Sequence, residues 1–304
     1  MKNGNFKMTK KTKTSKFLEV AEKHKKDSKK EKFSGTFSDY LELLEENKKV
    51  AILAHKKLYG AITKHGITRM SEEDSRCNNL FNGESLKTYD YFQDRFFGME
   101  RPLSKIMRYL HSASMRGEES RQVLLLLGPV GAGKSALVEH IKKALESSGP
   151  LYTLNRCPIN EDPLHLIPRS LRDEFSEIYG VKIEGDLCPI CRHRLLEEHG
   201  GDYMSYPVTE TSFSIRGRRG IGVVPPMDAN TQDTSILIGS EDISKLDLYS
   251  EDDPRALSLN GAFNVGNRGI VEFVEVFKNE IEFLHTMITA TQEKAVPSPG
   301  KDLF

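Results

Sequence analysis

The sequence predicts an α/β fold organised around a phosphate-binding loop, and three consecutive observations support this. Residues 123–127 form a continuous apolar run, which predicts a strand buried on both faces. Residues 128–135 read GPVGAGKS and match G-x-x-x-x-G-K-[ST] at every position. Apolar residues then recur at helical spacing over residues 137–145 and predict a helix. Strand, glycine-rich turn and helix in this order are the context that such a loop requires.

Each residue type in this loop suits the binding of a nucleotide. The glycines let the backbone curl with its N–H groups pointing inward, and the following helix start favours an anion. Lys134 can reach the β- and γ-phosphates, and the Ser135 hydroxyl can bind the Mg²⁺ that accompanies the nucleotide. A glycine turn with a chance lysine is the alternative. The sequence therefore predicts an ATP site in which Lys134 is also catalytic, formed by Gly128, Pro129, Val130, Gly131, Ala132, Gly133, Lys134 and Ser135.

Composition excludes several classes of function for the chain as a whole. Lys+Arg and Asp+Glu both number 44 in 304 residues, so a nucleic-acid partner is not expected. No apolar stretch approaches the roughly 20 residues of a membrane span, and the N-terminus has no apolar signal core. Four cysteines do not form a disulfide framework, so we expect a reduced, cytoplasmic protein.

The chain divides by composition into three parts. Residues 1–33 hold twelve lysines and four acidic residues, which predicts a basic, disordered tail or, alternatively, an electrostatic handle for nucleic acid or an acidic partner. Residues 34–118 carry apolar side chains at helical spacing and predict a helical lead-in. Residues 119–304 would form the nucleotide-binding core. Strands are predicted at 151–154 and 236–239, and helices at 171–179 and 281–291.

A P-loop ATPase also needs a second strand that brings carboxylates to the magnesium and the attacking water. Residues 269–277, GIVEFVEVF, are the good candidate. In ATPases of the AAA+ type this strand ends in an Asp-Glu pair, whereas here the positions are Val274 and Glu275. We expect Glu275 to orient the water as a base, and Glu272, on the same strand face as Val274, to replace the missing Mg²⁺ ligand. Alternatively, both are merely rim carboxylates.

The spacing between these motifs predicts an insertion. Ser135 and Glu275 are 140 residues apart, far more than the few βα units between them require. The predicted architecture is therefore an AAA+-like three-layer sandwich with a helical N-terminal lead-in and an insertion at about residues 157–235.

Two cysteines within this insertion have the spacing of half a zinc site. Cys188 and Cys191 occupy a C-P-I-C knuckle, and a tetrahedral site needs four ligands. Cys157, His193 and His199 are the nearby donors. The alternatives are a tight turn of reduced cysteines, or a redox dithiol that lacks the usual βαβ surroundings.

Arginines near the two ATPase motifs are candidates for stabilising a transferring phosphoryl group. Arg216, Arg218 and Arg219 lie among glycines in SIRGRRGIG, and Arg268 precedes the second strand. A neighbouring subunit of an AAA+ ring supplies such an arginine. A solvated basic loop is the alternative for each.

Six blocks together carry a resemblance to a known family, and they are residues 33–44, 128–135, 157–168, 184–195, 219–239 and 261–278. With them the sequence resembles the N-terminal AAA+ region of the PrkA family, called serine protein kinases and associated with bacterial sporulation and stress. The valine-glutamate ending at Val274 and Glu275 is also a family feature. The family continues through a polar sensor residue, a helical lid and a further domain to which kinase activity is ascribed. The resemblance therefore implies a core that is incomplete at its C-terminus.

Three functions are compatible with these features. The first is a Mg²⁺-dependent ATPase that handles, remodels or helps to degrade protein, with a homo-oligomeric ring as its expected assembly. The second is a serine protein kinase, although the sequence contains no V-A-I-K, H-R-D or D-F-G element. The third is a nucleotide-switched binding module without turnover.

Overall fold

The computed structural model describes residues 17–18, 32–71, 74–75, 81, 84–226, 233–250, 253–279 and 281–297. Contacts divide the chain into two units, residues 1–33 and residues 34–304. The predicted basic tail lies almost wholly outside the described residues. Within the described ranges, no helix combines the length and apolar character that crossing a membrane requires.

Helices dominate the part of the second unit that precedes and follows the glycine-rich loop. They are α1 (Phe37–Glu46), α2 (Ala54–Thr63), α3 (Asp90–Gln93), α4 (Glu100–Ser114) and α5 (Lys134–Glu146). Helix α2 packs against both α4 and α5. Helix α4 buries Leu103, Ile106, Met107 and Leu110, whose spacing places them on one face. The helix predicted after the loop is therefore present, and α1 to α4 lie within residues 34–118.

Helix α1 begins at a capping box. The Thr36 hydroxyl accepts a hydrogen bond from the backbone N–H of Asp39 at 3.3 Å, and the Asp39 carboxylate accepts one from the backbone N–H of Thr36 at 2.7 Å. This reciprocal pair satisfies donors that a helix start otherwise leaves unpaired. Phe37, Tyr40 and Leu44 then face inward from the helix.

The second half of the unit contains shorter helices, namely α6 (Arg172–Tyr179), α7 (Pro189–Glu197), α8 (Ser235–Ile238), α9 (Ala262–Val265) and α10 (Ile281–Gln292). Helices α6 and α10 agree with the predicted spans. Gly180 ends α6 with a φ of +68°, a left-handed conformation that glycine adopts readily. The strand predicted at residues 236–239 is wrong, because residues 235–238 are helical and Asn264 bonds to the Ile238 carbonyl.

The strands form small sheets. They are β1 (Ser34–Thr36), β2 (Ile67–Arg69), β3 (Lys87–Tyr89), β4 (Pro150–Leu154), β5 (Pro207–Ser212), β6 (Ile221–Val224), β7 (Ser240–Glu241), β8 (Leu257–Ser258) and β9 (Ile270–Phe273). Strand β5 lies between β1 and β4 and is antiparallel to both. Strands β6 and β9 are parallel, and β2–β3 and β7–β8 are antiparallel pairs.

Glycines allow close backbone approach around the β6–β9 pair. A Cβ on Gly269 would lie 1.8 Å from the Gly220 carbonyl oxygen, and one on Gly222 would lie 2.1 Å from that of Ala262. Real side chains do not tolerate such distances. The glycine-rich blocks at residues 219–224 and 261–269 therefore pack directly on one another and position β9.

The strand predicted at residues 123–127 is not formed in this structure. Residues 123–127 do not form a β-strand, and the side chains of Val123 and Leu127 are 51% and 74% exposed. Leu126 alone of the run packs against the main core. A buried strand needs neighbours that complete its hydrogen bonds, and the described strands all pair elsewhere. Among the described residues, the α/β architecture is thus a set of small sheets with helices and not one central sheet.

Candidate functional site

The glycine-rich loop adopts a curled backbone at the start of α5. Gly131 and Gly133 have φ values of +82° and +78°, in the left-handed region that glycine enters without steric cost. Gly133 is the N-cap of α5 and its carbonyl accepts the first helical hydrogen bond, from Leu137 at 2.9 Å. A Cβ on Gly131 would meet nothing within 4 Å, so the loop leaves space on this side.

Lys134 closes onto its own loop. Its Nζ donates hydrogen bonds to the carbonyl oxygens of Gly128 and Pro129, both at 2.7 Å. The ammonium group is therefore already held inside the curve of the loop. An incoming phosphate, as a charged acceptor, would compete with these two neutral carbonyls for the same donor.

The remaining loop residues are open to solvent, while the helix behind them is anchored. Ser135 lies exposed at the first turn of α5, beside the unpaired N–H groups of the helix start. Leu137, Ile141 and Leu145 bury the opposite face of α5 in the main core. The sequence thus places a fixed helix N-terminus behind an accessible loop, which is the arrangement that binds anions.

The predicted second strand is shorter than its apolar pattern indicated. Strand β9 ends at Phe273, and the Val274 N–H donates to the Val224 carbonyl at 3.0 Å. Glu275 follows in a left-handed conformation with φ of +54°, which few residues other than glycine adopt. Its carboxylate is about half exposed and pairs with Lys278. Glu275 therefore stands on a turn at the carboxyl end of a parallel strand.

Glu272 is held by a lysine of the phosphate-loop helix. The Lys142 side chain is only 2% exposed, and its Nζ contacts the carboxylates of Glu272 and Glu139. Burial lowers the pKa of Lys142, but the hydrogen bonds to Glu139 and Glu272 outweigh burial and raise it. Glu272 is thus already neutralised by a cation, and a role as Mg²⁺ ligand stays a prediction.

Arg268 is bound inside the protein. Its guanidinium group pairs with Asp162 at 2.9 Å, and both side chains are less than 15% exposed. It also donates to the carbonyl oxygens of Tyr152, Asn160 and Glu161. Arg268 therefore connects the turn before β9 to β4 and the segment after it. Its predicted catalytic role stays a prediction.

The arginine side chains of the loop at residues 214–222 differ in their exposure and contacts. Arg219 donates to the Ser212 carbonyl at 3.1 Å, while Arg216 and Arg218 are exposed. The exposed pair is the part of this loop that a partner could contact.

The three cysteines named from the sequence come together. The ligand atoms of Cys157, Cys188 and Cys191 lie within 4.8 Å of one another and of a carboxylate oxygen of Glu161. Glu161 was missed by sequence reasoning, although it follows Cys157 by four residues. The predicted histidine donors are not part of this group of ligand atoms. His193 lies 4.0 Å from Asp253, and the ring centroid of His199 lies 4.7 Å from that of Tyr206.

Comparisons with known proteins agree on one family. A family model described as the PrkA AAA domain matches residues 35–303. ATP-dependent protease PrkA of Bacillus subtilis (strain 168) is 41% identical over 283 residues, which is 91% of this chain and 43% of that protein. Serine/threonine kinase YeaG of Escherichia coli (strain K12) is 35% identical over 265 residues, which is 85% of this chain and 41% of that protein.

The chain spans about two fifths of the length of these two relatives. An uncharacterized protein in the gldA 5' region of Geobacillus stearothermophilus is 30% identical over 107 residues, covering 35% of this chain and 97% of that protein. The comparison with solved structures gave no significant match. The model match and the two longer alignments show that this chain belongs to the PrkA AAA domain family.

Proposed function

We propose that this chain binds ATP at residues 128–135 and that its activity is ATP hydrolysis directed at protein. The observation that carries the proposal is the curled loop with Gly131 and Gly133 at positive φ in front of an accessible N-terminus of a helix whose opposite face is buried. A ring of backbone N–H groups and a helix dipole at one point favour a multiply charged anion such as a triphosphate.

The loop residues would divide the work of binding. The backbone N–H groups would bind phosphate oxygens, and Lys134 would exchange its two carbonyl acceptors for the charged β- and γ-phosphates. The exposed Ser135 hydroxyl is the group that fits a Mg²⁺ ligand. When bound, Mg²⁺ neutralises part of the charge on the phosphates.

Glu275 is our candidate for the base that orients the attacking water. A non-glycine residue held in the left-handed region is uncommon, and such positions cluster at functional sites. Glu272 would bind Mg²⁺ only if nucleotide binding released its carboxylate from Lys142.

The predicted three-layer sandwich would be complete only if residues 123–127 paired as a strand. Their apolar side chains, now exposed, are of the kind that a buried strand carries.

Whether phosphate passes to water or to a protein serine is the open alternative. One relative is named a protease and the other a kinase, and both names concern proteins more than twice as long as this chain. We favour hydrolysis because the sequence contains no V-A-I-K, H-R-D or D-F-G element of a protein kinase. The proposal also includes a homo-oligomeric ring and a role in stress or sporulation, both supported by the family resemblance. It includes a cytoplasmic location, supported by the free cysteines among the described residues.

The test uses ATP labelled at the γ-phosphate, with and without protein extract. Release of free phosphate supports hydrolysis, and labelled serine supports the kinase. Absence of both products supports the nucleotide-switched module.

Calorimetry with wild type and Lys134→Ala checks the binding step. Loss of a charge-assisted contact costs about 1.5–3 kcal/mol, so we expect at least a tenfold weaker affinity for ATP. Equal affinity in the two proteins would overturn the assignment of the loop.

A further inference from the structure

A second cluster with the chemistry of a metal site lies in the segment after β4. It consists of Cys157, Glu161, Cys188 and Cys191, whose ligand atoms are all buried and lie within 4.8 Å of one another. Tetrahedral thiolates bonded to Zn²⁺ at about 2.3 Å lie about 3.8 Å apart. The four donors would therefore need to move inward by about 1 Å at most to bind one ion.

The Glu161 carboxylate is oriented with one oxygen towards the thiols. Its Oε1 accepts hydrogen bonds from the Cys188 N–H at 2.7 Å and from His165 Nδ1 at 3.1 Å. Its Oε2 lies 3.8 Å from the Cys157 sulfur. A fully buried carboxyl group needs hydrogen-bond donors or a cation around it.

His165 holds this carboxylate from outside. Its Nε2 lies 2.7 Å from the Glu184 carbonyl oxygen, which can only accept, so Nε2 must carry a proton. Its Nδ1 therefore donates to Glu161 if Glu161 is ionised. A histidine that holds a ligand carboxylate in this way is an outer-shell partner that fixes ligand orientation.

The thiols are arranged as ligands. The Cys191 N–H donates to the Cys188 sulfur at 3.4 Å, and the Glu161 N–H donates to the Cys157 sulfur at 3.4 Å. Cys188 is also the N-cap of α7. Cys188 and Cys191 are both fully buried, so a partner protein could not reach them for thiol exchange.

We propose that Cys157, Glu161, Cys188 and Cys191 bind one structural Zn²⁺. Three sulfur donors and one oxygen donor in a closed, buried cluster match the preferences of this ion. The ion would join the segment after β4 to the start of α7, more than 25 residues further along the chain. Arg268 and Asn267 hold the same segment from the other side, through Asp162 and the Ile159 carbonyl. This site is separate from the proposed ATP chemistry and does not depend on it.

The first experiment measures the metal content of the purified chain and its uptake of added Zn²⁺. We expect one Zn²⁺ per chain in wild type and loss of it in Cys157→Ser and Cys188→Ser. His165→Ala should weaken zinc affinity about 10–100-fold in competition with a chelator. His193→Ala and His199→Ala are the matched controls, because these nearby histidines lie outside the cluster, and both should retain the metal.

A second measurement uses only wild-type protein, so it does not depend on whether the variants fold. Zinc should protect Cys157, Cys188 and Cys191 together from alkylation, and a chelator should expose all three, as read by mass spectrometry. Cobalt substituted for zinc should give the absorption of a tetrahedral site with thiolate ligands. Folded protein that takes up no zinc, a disulfide among these cysteines, or metal that survives the two cysteine variants would each overturn the proposal.

Discussion

Lys142 joins Glu272 across the two halves of the proposed ATP site, since the lysine belongs to the phosphate-loop helix α5 and the carboxylate to strand β9. The lysine side chain is 2% exposed and the glutamate side chain 17%. The pair therefore fixes the relative position of the two elements in a region where solvent screens the charges little.

Lys142→Met should destabilise the protein because it leaves the Glu272 carboxylate without its cation. Removing one partner of a buried ion pair costs about 3–5 kcal/mol, and partial exposure of Glu272 places the expected loss near 3 kcal/mol. Urea unfolding measures it. The double variant Lys142→Met with Glu272→Gln should recover part of this loss. If the two single losses simply add, the pair contributes no coupling.

The same Glu272→Gln variant tests the magnesium role. If Glu272 serves Mg²⁺, the variant should need more Mg²⁺ for half-maximal ATP turnover. An unchanged Mg²⁺ requirement with reduced stability would assign Glu272 to Lys142 alone.

Arg268→Gln should act on stability before it acts on catalysis. Arg268 and Asp162 are both nearly buried, so the variant leaves Asp162 without its ion-pair partner and we expect a loss of about 3–5 kcal/mol in urea unfolding. The exposed Arg218 provides the control, and Arg218→Gln should change stability by less than about 0.5 kcal/mol. A stable Arg268→Gln protein with normal ATP affinity but no turnover would instead support the predicted catalytic arginine.

Glu275→Gln should retain ATP binding and lose hydrolysis. The amide preserves the shape of the side chain but cannot accept a proton, and general-base catalysis contributes about 10²–10⁴-fold. Phosphate release and calorimetry on the same preparations separate the two effects. Glu177→Gln, an exposed change on α6, is the control. Hydrolysis at the wild-type rate in Glu275→Gln would show that β9 does not carry the base.

Because Lys57 is buried, we expect the free energy of unfolding to increase with pH in the alkaline range. Its side chain is buried, and burial together with the charge of Arg268 lowers the pKa from 10.5 to about 8. Between pH 8 and pH 10.5 the unfolded chain therefore binds more protons than the folded chain, so stability from this group rises with pH. Relative to Lys57→Met, we expect wild type to gain up to about 3 kcal/mol across this range.

Thermal or urea unfolding at several pH values checks this prediction. Lys56→Met, on the exposed side of the same helix, is the control for the substitution itself. A constant difference between wild type and Lys57→Met from pH 7 to pH 10.5 would contradict it.

Local sequence determined the glycine-rich loop, helix α5 and the amphipathic helix α4. Each depends on contacts between residues a few positions apart: glycines that enter positive φ, a helix start that follows them, and apolar residues spaced to form one face. Such information is complete within a short window, so these elements were predicted from the sequence and are present in the structure.

Only the tertiary structure decided which distant groups meet. In the tertiary structure β6 pairs with β9, and Glu161 lies among the cysteines. Glu272 forms an ion pair with Lys142, and residues 123–127 have no strand partner among the described residues. A strand pair, an ion pair or a metal cluster is specified by two segments that approach each other in space, and neither segment alone contains the position of the other. Apolar periodicity identifies a side chain that can be buried, while the partner that buries or neutralises it depends on the packing of the whole unit.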